Sequence, residues 1–220
     1  MSAASAEQER VTRRYERLAR FYDVCNAPME LAGLRTRRRR LLGLACGRVL
    51  EAGIGTGRNL EYYPPGVELS GIDVSARMLE RARRRARELG REAELHRADV
   101  QELPSEEGTF DTIVATCLFC SVADPVRGLA ELRRVVKPEG RILLLEHVRP
   151  RNPVLGLLAD LVSPLTRRLF GPSLNRRTEE NARAAGLELV EVRRDGIWRE
   201  IVARPVSGDA QAADARSTVE

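Results

Sequence analysis

The chain has 220 residues, 43% of them hydrophobic and 31% charged, a composition typical of one soluble globular domain. Its N-terminus lacks an apolar segment with a cleavage site, and no run reaches the roughly 18 apolar residues of a membrane span, so we expect a cytoplasmic protein. Four cysteines and two histidines predict neither a disulfide framework nor a metal site. All but one of the 37 basic residues are arginines, and the formal net charge of +5 favours anionic partners.

The predicted elements alternate between strands and helices. Residues 7–45 predict two helices ahead of the core, and short apolar runs then predict seven strands, at 48–52, 67–73, 93–99, 109–116, 141–147, 187–193 and 198–204. Helical patterns at 57–63, 75–90 and 125–136 lie between the first five strands. This alternation predicts an α/β fold with a doubly wound, mainly parallel sheet. The "RDG" between the last two strands predicts a tight hairpin, hence one antiparallel strand, and the polar tail from 207 to 220 is predicted to be disordered.

Arginine is concentrated in three clusters, at 35–40, 81–91 and 164–177. In the middle cluster an apolar stripe at helical spacing predicts a helix whose other face carries the arginines into solvent. The first and third clusters adjoin apolar sequence, so they are either solvated helix faces or contacts for phospholipid head groups. No aromatic-rich motif accompanies them, and we expect no nucleic-acid partner.

The stretch "VLEAGIGTGRN" at 49–59 places three glycines where the first strand ends. Gly53, Gly55 and Gly57 let the backbone turn tightly and let a ligand approach the main chain, although a tight turn without a ligand has the same composition. A dinucleotide fingerprint needs its third glycine at position 58, which is Arg58. The acidic Glu51 inside the strand is unfavourable beside a pyrophosphate and suits a ligand with a positive group.

Two further acids end the next two predicted strands. Asp73 follows the first glycine by the distance at which a carboxylate accepts the hydroxyl protons of a ribose. Asp99, beside Val100, is placed to accept a hydrogen bond from an adenine amino group. Either acid alone is also typical of a helix N-cap. Together with the glycines they favour a ligand that has adenine, ribose and a cationic amino-acid end but no phosphate.

The chain resembles a class I S-adenosylmethionine-dependent methyltransferase in five successive stretches, "VLEAGIGTGRN", "GIDVSARMLERAR", "RADVQELP", "FDTIVATCLFCSV" and "ELRRVVKPEGRILLLEH". The resemblance covers about residues 15–205. It implies a Rossmann-like seven-stranded sheet in the order 3-2-1-4-5-7-6 with the last strand antiparallel, and S-adenosylmethionine as the cofactor. We expect a helical lid at 1–45, a cofactor-binding domain at 46–206 and an acceptor-lid insertion at 149–177.

The resemblance also implies roles for individual residues. Glu51 and the turn of Gly53, Gly55, Thr56 and Gly57 are expected to border the methionine part of the cofactor. Asp73 and Val74 are expected at the ribose, Met78 along the ribose and adenine edge, and Asp99 with Val100 at the adenine. Thr116 and Cys117 are expected to face the methionine amino group. The segment "RLARFYDVCNAPME" resembles the lid of quinone and phospholipid methyltransferases, in which Tyr22 and Asp23 match a pair that closes over the cofactor.

Catalysis on an activated methyl group requires alignment of the acceptor and exclusion of water, and a general base only if the acceptor loses a proton. We expect Tyr22 and His147 to be the catalytic residues, with His147 as the base, although a histidine that only shapes the pocket fits equally. Cys117 and Cys120 form C-x-x-C, but they follow a buried strand and are interpreted as pocket lining rather than as a redox pair.

The acceptor is the open question of the sequence. The insertion at 149–177 carries an apolar stripe bracketed by arginines, which predicts core packing, a cover for an apolar acceptor, or an amphipathic segment at a membrane interface. We favour the membrane interface and a phospholipid amine or quinone. The alternatives are a small alkyl thiol or another soluble metabolite, because "YYPPG" and "CLFCSV" also resemble thiol methyltransferases, and a binding protein without catalysis. The sequence does not indicate an oligomeric state.

Overall fold

The computed structural model describes residues 3–150, 152–169 and 173–206. The helices are α1 (Ala3–Leu18), α2 (Tyr22–Met29), α3 (Arg35–Leu42), α4 (Ala76–Glu88), α5 (Pro125–Val135), α6 (Pro153–Leu169) and α7 (Thr178–Ala184). The strands are β1 (Arg48–Ala52), β2 (Glu68–Asp73), β3 (Glu94–Arg97), β4 (Phe110–Thr116), β5 (Val136–His147), β6 (Leu187–Asp195) and β7 (Trp198–Pro205). Within these residues, no helix is long and apolar enough to cross a membrane. The predicted disordered tail at 207–220 lies outside the described residues.

The seven strands form one sheet in the order β3-β2-β1-β4-β5-β7-β6, which confirms the predicted fold class. The strands from β3 to β5 pair in parallel, and β7 pairs antiparallel with both β5 and β6. The predicted hairpin joins β6 to β7, since Asp195 pairs with Trp198 across the turn. The carboxyl ends of β1, β2, β3, β4 and β5 therefore meet at one edge of the sheet, where doubly wound proteins bind ligands.

Each face of the sheet is buried by helices, as the near-continuous apolar strands require. One core layer packs Ile113, Ile142 and Leu144 against Leu129 and Leu132 of α5. The opposite layer packs strand residues such as Val49, Val114 and Leu143 with side chains of α3 and α4, among them Leu42 and Leu79. Ser75 caps the N-terminus of α4, where its hydroxyl accepts a hydrogen bond from the Met78 amide. Asp124 caps α5, where its carboxylate accepts a hydrogen bond from the Arg127 amide. These caps fix where both helices leave the ligand-binding edge.

The structure corrects two of the predicted helical segments. Residues 57–63 form successive turns rather than a helix. The segment starts from Gly57 with positive φ and ends at Pro64, and so short a run does not meet the cost of helix nucleation. The N-terminal segment forms α1, α2, a π-helical turn over Glu30–Leu34 and α3 instead of two helices. The break falls at Gly33, whose φ of 102° is left-handed.

Candidate active site

The glycine turn after β1 divides its glycines between two tasks. Gly53, Gly55 and Gly57 all have left-handed φ angles, of 69°, 56° and 79°. A Cβ on Gly57 would stand 3.1 Å from the Cα of Ala82, so this glycine lets α4 pack closely on the turn. A Cβ on Gly55 would meet only the Gly53 carbonyl oxygen, at 4.0 Å, because Gly55 borders open space. The backbone at Gly55 is therefore accessible to a ligand, whereas Gly57 is a packing position. Gly53 packs against the Leu118 side chain, whose Cδ1 would lie 2.6 Å from an added Cβ.

Asp73, at the end of β2, is tied to the same turn. Its Oδ2 accepts the Gly55 amide at 2.9 Å and its Oδ1 accepts the Ser75 amide at 2.8 Å. Burial raises the pKa of Asp73 to about 6 despite these hydrogen bonds, which favour the ionised form. Each oxygen keeps a lone pair for a further donor, so this carboxylate is suited to the hydroxyl protons of a ribose.

A cavity opens at the carboxyl ends of β1, β2 and β4. Nine of the residues predicted to bind the cofactor line it: Tyr22, Gly53, Gly55, Asp73, Val74, Met78, Val100, Thr116 and Cys117. The remaining lining residues are mostly apolar and include Ile72, Ala98, Leu118 and Val122. No arginine or lysine of the described residues lines this cavity, so it offers no cation for a phosphate. An adenosine ligand without phosphate matches this lining.

Four predicted cofactor residues lie outside the cavity lining. Glu51 is buried inside β1, where it accepts hydrogen bonds from Asn59 and Tyr63, and burial raises its pKa to about 7. Thr56 is buried and donates to Asp23. Gly57 packs on α4, as described above. Asp99 lies in a neighbouring open groove together with Gln101. The main-chain and side-chain N–H groups of Gln101 both donate hydrogen bonds to Oδ1 of Asp99.

Helix α1 forms a wall of the cavity, within the segment 1–45 that was expected to be a helical lid, but its lining residues were not predicted. Gln8, Val11 and Tyr15 line the cavity from this helix. The Tyr15 hydroxyl lies 2.6 Å from the Ser121 hydroxyl on the opposite wall, and the Tyr15 and Tyr22 rings are 6.2 Å apart. The three residues follow helical spacing of three and four, which is the signal that marks one face of a helix. That signal alone does not reveal what the face covers.

Asp23 fastens the lid to the glycine turn. Its carboxylate accepts hydrogen bonds from Thr56 Oγ1 at 2.7 Å, Arg58 Nε at 2.9 Å and Arg85 Nη2 at 3.0 Å. Partial burial would raise the pKa of Asp23, but the hydrogen bonds from Thr56 and Arg58 and the Arg85 charge outweigh it and lower the pKa to about 2. Asp23 is thus an ionised group that anchors the segment carrying Tyr22, and its own side chain lies outside the cavity lining.

The loop after β4 carries the C-x-x-C pair and is held by a buried carboxylate. Glu146 accepts the Leu118 and Phe119 amides at 2.8 and 2.9 Å, which helps hold Cys117 at a left-handed φ of 52°. Burial raises the pKa of Glu146 to about 7 and that of the Cys117 thiol to about 12. The Cys117 thiol therefore stays protonated at neutral pH and lines the cavity as a small, weakly polar group.

His147 lies at the end of β5 but outside the cavity lining. Its ring meets Trp198 of β7 edge-on, with the ring centroids 6.2 Å apart. Burial lowers its pKa, so the imidazole is neutral and able to accept a proton. Any acceptor that uses His147 as a base must reach it from outside the cavity described above.

The sheet has this strand order, a glycine turn follows β1, and an acid ends β2 beside a cavity that offers no cation for a phosphate. Together these features define a protein that binds S-adenosylmethionine for methyl transfer. The chain belongs to the class I S-adenosylmethionine-dependent methyltransferases. Residues 50–144 match the family model described as a methyltransferase domain.

Similar proteins agree with this assignment. The phosphatidylethanolamine N-methyltransferase of Cereibacter sphaeroides is 37% identical over 151 residues, which cover 67% of this chain and 73% of that protein. The ubiquinone/menaquinone biosynthesis C-methyltransferase of Citrifermentans bemidjiense is 34% identical over 166 residues, 70% of each chain. In fold, a solved methyltransferase of Thermotoga maritima superposes with a TM-score of 0.68 at 22% identity, covering 88% of this chain and 99% of its own.

Proposed function

We propose that this methyltransferase acts on a small or lipid-like apolar acceptor, a phospholipid amine or a quinone, and meets it at a membrane surface. One observation carries the proposal, the exposed apolar outer face of α6. The names of the similar proteins support the acceptor class, since one is a phospholipid N-methyltransferase and the other a quinone C-methyltransferase.

S-adenosylmethionine, when bound, supplies a methyl group already activated on a sulfonium. The role of the chain is then to bind, orient and exclude water. Asp73 would hold the ribose hydroxyls, Met78 and Val100 would enclose the adenosine, and the backbone of Gly53 and Gly55 would border the amino-acid end. Tyr22 and α1 would close the cavity against water.

The two faces of α6 differ in side-chain size. Its inner face carries Gly156, Ala159 and Ser163, which are small and buried, and an added Cβ on Gly156 would clash with the Arg149 guanidinium. The outer face carries exposed side chains at helical spacing, namely Val154, Leu155, Leu157, Leu158, Leu161, Val162 and Leu165. Leu157 is 60% exposed and Leu161 is 71% exposed. A contiguous apolar face of this kind is typical of a protein or membrane contact.

The arginine clusters contribute less to this surface than the sequence indicated. In the first cluster, Arg38 is buried, Arg37 pairs with Asp195 and Arg40 pairs with Glu200. These three arginines are therefore less available to a membrane surface. In the third, Arg176 donates to the Val122 carbonyl and Arg177 pairs with Glu180. The side chains of Arg167 and Arg168 lie outside the described residues. The proposed membrane contact therefore depends on leucines first and on net charge second.

Liposome co-sedimentation tests the proposal. We expect the protein to bind anionic liposomes more than neutral ones at low salt, with moderate weakening as salt rises. The double variant Leu157→Glu/Leu161→Glu should abolish most binding, because each inserted leucine contributes up to about 1.5–3 kcal/mol. Val190→Glu is the matched control, since Val190 is 46% exposed on β6, far along the chain from α6.

Turnover assays separate the candidate acceptors. Methylation of phosphatidylethanolamine or of a demethylated quinone in vesicles, reduced in the α6 double variant, supports the proposal. A protein that ignores anionic liposomes and methylates a soluble alkyl thiol efficiently would make the α6 face an acceptor cover and replace the lipid assignment. Tight cofactor binding with no turnover on any of the three acceptor types would favour the non-catalytic alternative.

A base is required only for an acceptor that loses a proton, and we propose His147 for that role. The support is its position after β5 and its neutral imidazole. If the base is used, His147→Gln should lower kcat and remove the fall in activity at low pH that protonation of the imidazole causes. Unchanged kinetics would reduce His147 to a residue that packs against Trp198.

A further inference from the structure

Asn59 lies at the centre of a buried polar network between helix α3 and the cofactor cavity. It is 1% exposed. Its Oδ1 accepts a hydrogen bond from Arg38 Nη1, while its Nδ2 donates to Glu51 Oε1 at 2.8 Å and to Thr116 Oγ1 at 3.0 Å. Of these partners, Thr116 lines the cavity. The network therefore connects a buried cation to a group that faces the ligand.

Chemistry fixes the orientation of the Asn59 amide. Arg38 has only donors, so the amide atom that faces it must be the oxygen, and the NH2 group must then face Glu51 and Thr116. Arg38 is itself buried and lies 3.2 Å from Glu30 Oε1, which balances its charge. An exchange of the two amide ends would place NH2 against the guanidinium and oxygen against a carboxylate, both unfavourable.

The orientation of Asn59 restricts the Thr116 hydroxyl. This hydroxyl accepts from Asn59 Nδ2, so its single hydrogen is directed elsewhere. Within residues 3–150, 152–169 and 173–206, the Thr116 hydroxyl takes part only in the hydrogen bond from Asn59, in which it accepts, so its hydrogen has no partner there. Because Thr116 lines the cavity, its hydrogen is available to an acceptor atom of the bound cofactor.

The position of Thr116 selects that acceptor atom. Asp73 and Val100 follow β2 and β3, on one side of β1, whereas Thr116 ends β4 on the other side. The ribose and adenine groups assigned to Asp73 and Val100 thus leave the methionine part for Thr116. That part carries an ammonium, which only donates, and a carboxylate, which only accepts.

We propose that Asn59, oriented by Arg38, directs the Thr116 hydroxyl as a hydrogen-bond donor to the cofactor carboxylate. The family resemblance instead implied the amino group at this position. Thr116 is the binding residue in this proposal, and Asn59 is a positioning residue that acts through it. Asn59 and Tyr63 also donate to Glu51, which shields that buried carboxyl from the cofactor carboxylate.

Decarboxylated S-adenosylmethionine tests the assignment, because it keeps the adenosine, sulfonium and ammonium but lacks the carboxylate. Calorimetric affinities for both ligands should show Thr116→Val weakening S-adenosylmethionine on the order of 10- to 100-fold, the loss of a hydrogen bond to a charged group. Affinity for the decarboxylated ligand should stay near that of the wild type. Asn59→Asp keeps the contact with Arg38 but cannot donate, so it should reproduce the same selectivity loss.

Two controls keep the result interpretable. Thr36→Val, at an exposed position of α3, should change neither affinity. Thr116→Ser, which retains the hydroxyl, should restore the preference for the carboxylated ligand. Equal losses for both ligands in Thr116→Val, or no loss for either, would overturn the proposal. If Asn59→Asp does not fold, the Val and Ser variants of Thr116 decide between these outcomes.

Discussion

The cofactor cavity and the outer face of α6 are both lined by apolar side chains, but only the cavity is enclosed by the protein. Around the cavity, carboxylates such as Glu51, Asp73 and Glu146 each have hydrogen-bond donors from the surrounding chain. On α6, Leu157 and Leu161 face solvent. A preorganised cavity recognises one ligand by fixed polar positions, whereas an exposed apolar face selects only an apolar environment.

This difference explains why the cofactor is better defined than the acceptor. The cofactor site depends on the glycine turn after β1 and on the carboxylate of Asp73, and both are visible as residue types at fixed spacing in the sequence. An apolar helix face is compatible with a lipid, a quinone or a cover over a smaller molecule. Substitutions on the cavity side should show how strictly each of its positions is specified.

Replacement of Gly57 should have the largest effect on the cavity side. In Gly57→Ala, an alanine would have to adopt the left-handed φ of Gly57, and its methyl group would press on the Ala82 backbone. We therefore expect a loss of about 2–4 kcal/mol in the free energy of unfolding. Gly55→Ala is the matched control, because its methyl enters open space. It should lose about 1–2 kcal/mol of stability from strain but should weaken cofactor binding more. Equal stability losses in urea denaturation would contradict the division of tasks.

Removal of the Asp73 carboxylate should affect ligand binding directly. Asp73→Ala leaves ribose hydroxyls without a charged acceptor and frees the Gly55 amide, so cofactor affinity should fall by about 1–3 kcal/mol in calorimetry. Asp195→Ala removes an exposed acid that pairs with Arg37 outside the cavity lining, and it should leave cofactor affinity unchanged. Unchanged affinity in Asp73→Ala, or binding of NAD by the wild type, would break the cofactor assignment.

The lid anchor should show a defined pH dependence. The pKa of Asp23 is about 2 in the folded protein and 3.8 ordinarily, so the ionised carboxylate contributes about 2 kcal/mol of stability at neutral pH. That contribution is present above about pH 4 and is lost as pH falls towards 2. Asp23→Asn should therefore be less stable than the wild type at pH 7 and nearly equal to it at pH 2. A stability difference that does not depend on pH would show that the charge of Asp23 is irrelevant.

Loss of the Tyr22 hydroxyl should have the smallest effect. Tyr22→Phe keeps the ring that lines the cavity, so the fold should persist while turnover or cofactor affinity falls by about 1 kcal/mol. Tyr62→Phe, outside the cavity lining, serves as the comparison. If both variants match the wild type in kcat, KM and cofactor Kd, Tyr22 only packs against the ligand.

The sequence predicted the architecture well because strand periodicity, the hairpin and the motif order are local signals. Strand order and the antiparallel β7 follow from them together with the family resemblance. The segment 57–63 was mispredicted as a helix because its apolar spacing conceals a left-handed start and a proline stop. Pro64 is visible in the sequence, but the positive φ of Gly57 is known only from the structure.

The parts of the site that the sequence missed depend on tertiary contacts. Tyr15 reaches Ser121 across 106 positions of chain, and Arg38 looked like one of several surface arginines until burial placed it against Asn59. Glu51 was expected at the ligand because it precedes the glycines, yet its side chain points to Asn59 and Tyr63. Side-chain direction within a buried strand decides such cases, and motif spacing does not encode it.

The position of α1 across the cavity has a kinetic consequence. Because Tyr15 is hydrogen-bonded to Ser121, we expect a spent cofactor to leave only after this helix moves. We expect the detachment of the N-terminal segment, and not the chemistry at the sulfonium, to set the residence time of the product. Solvent viscosity and truncation before Val11 should change the rate of product release while the single-turnover methyl transfer keeps its rate.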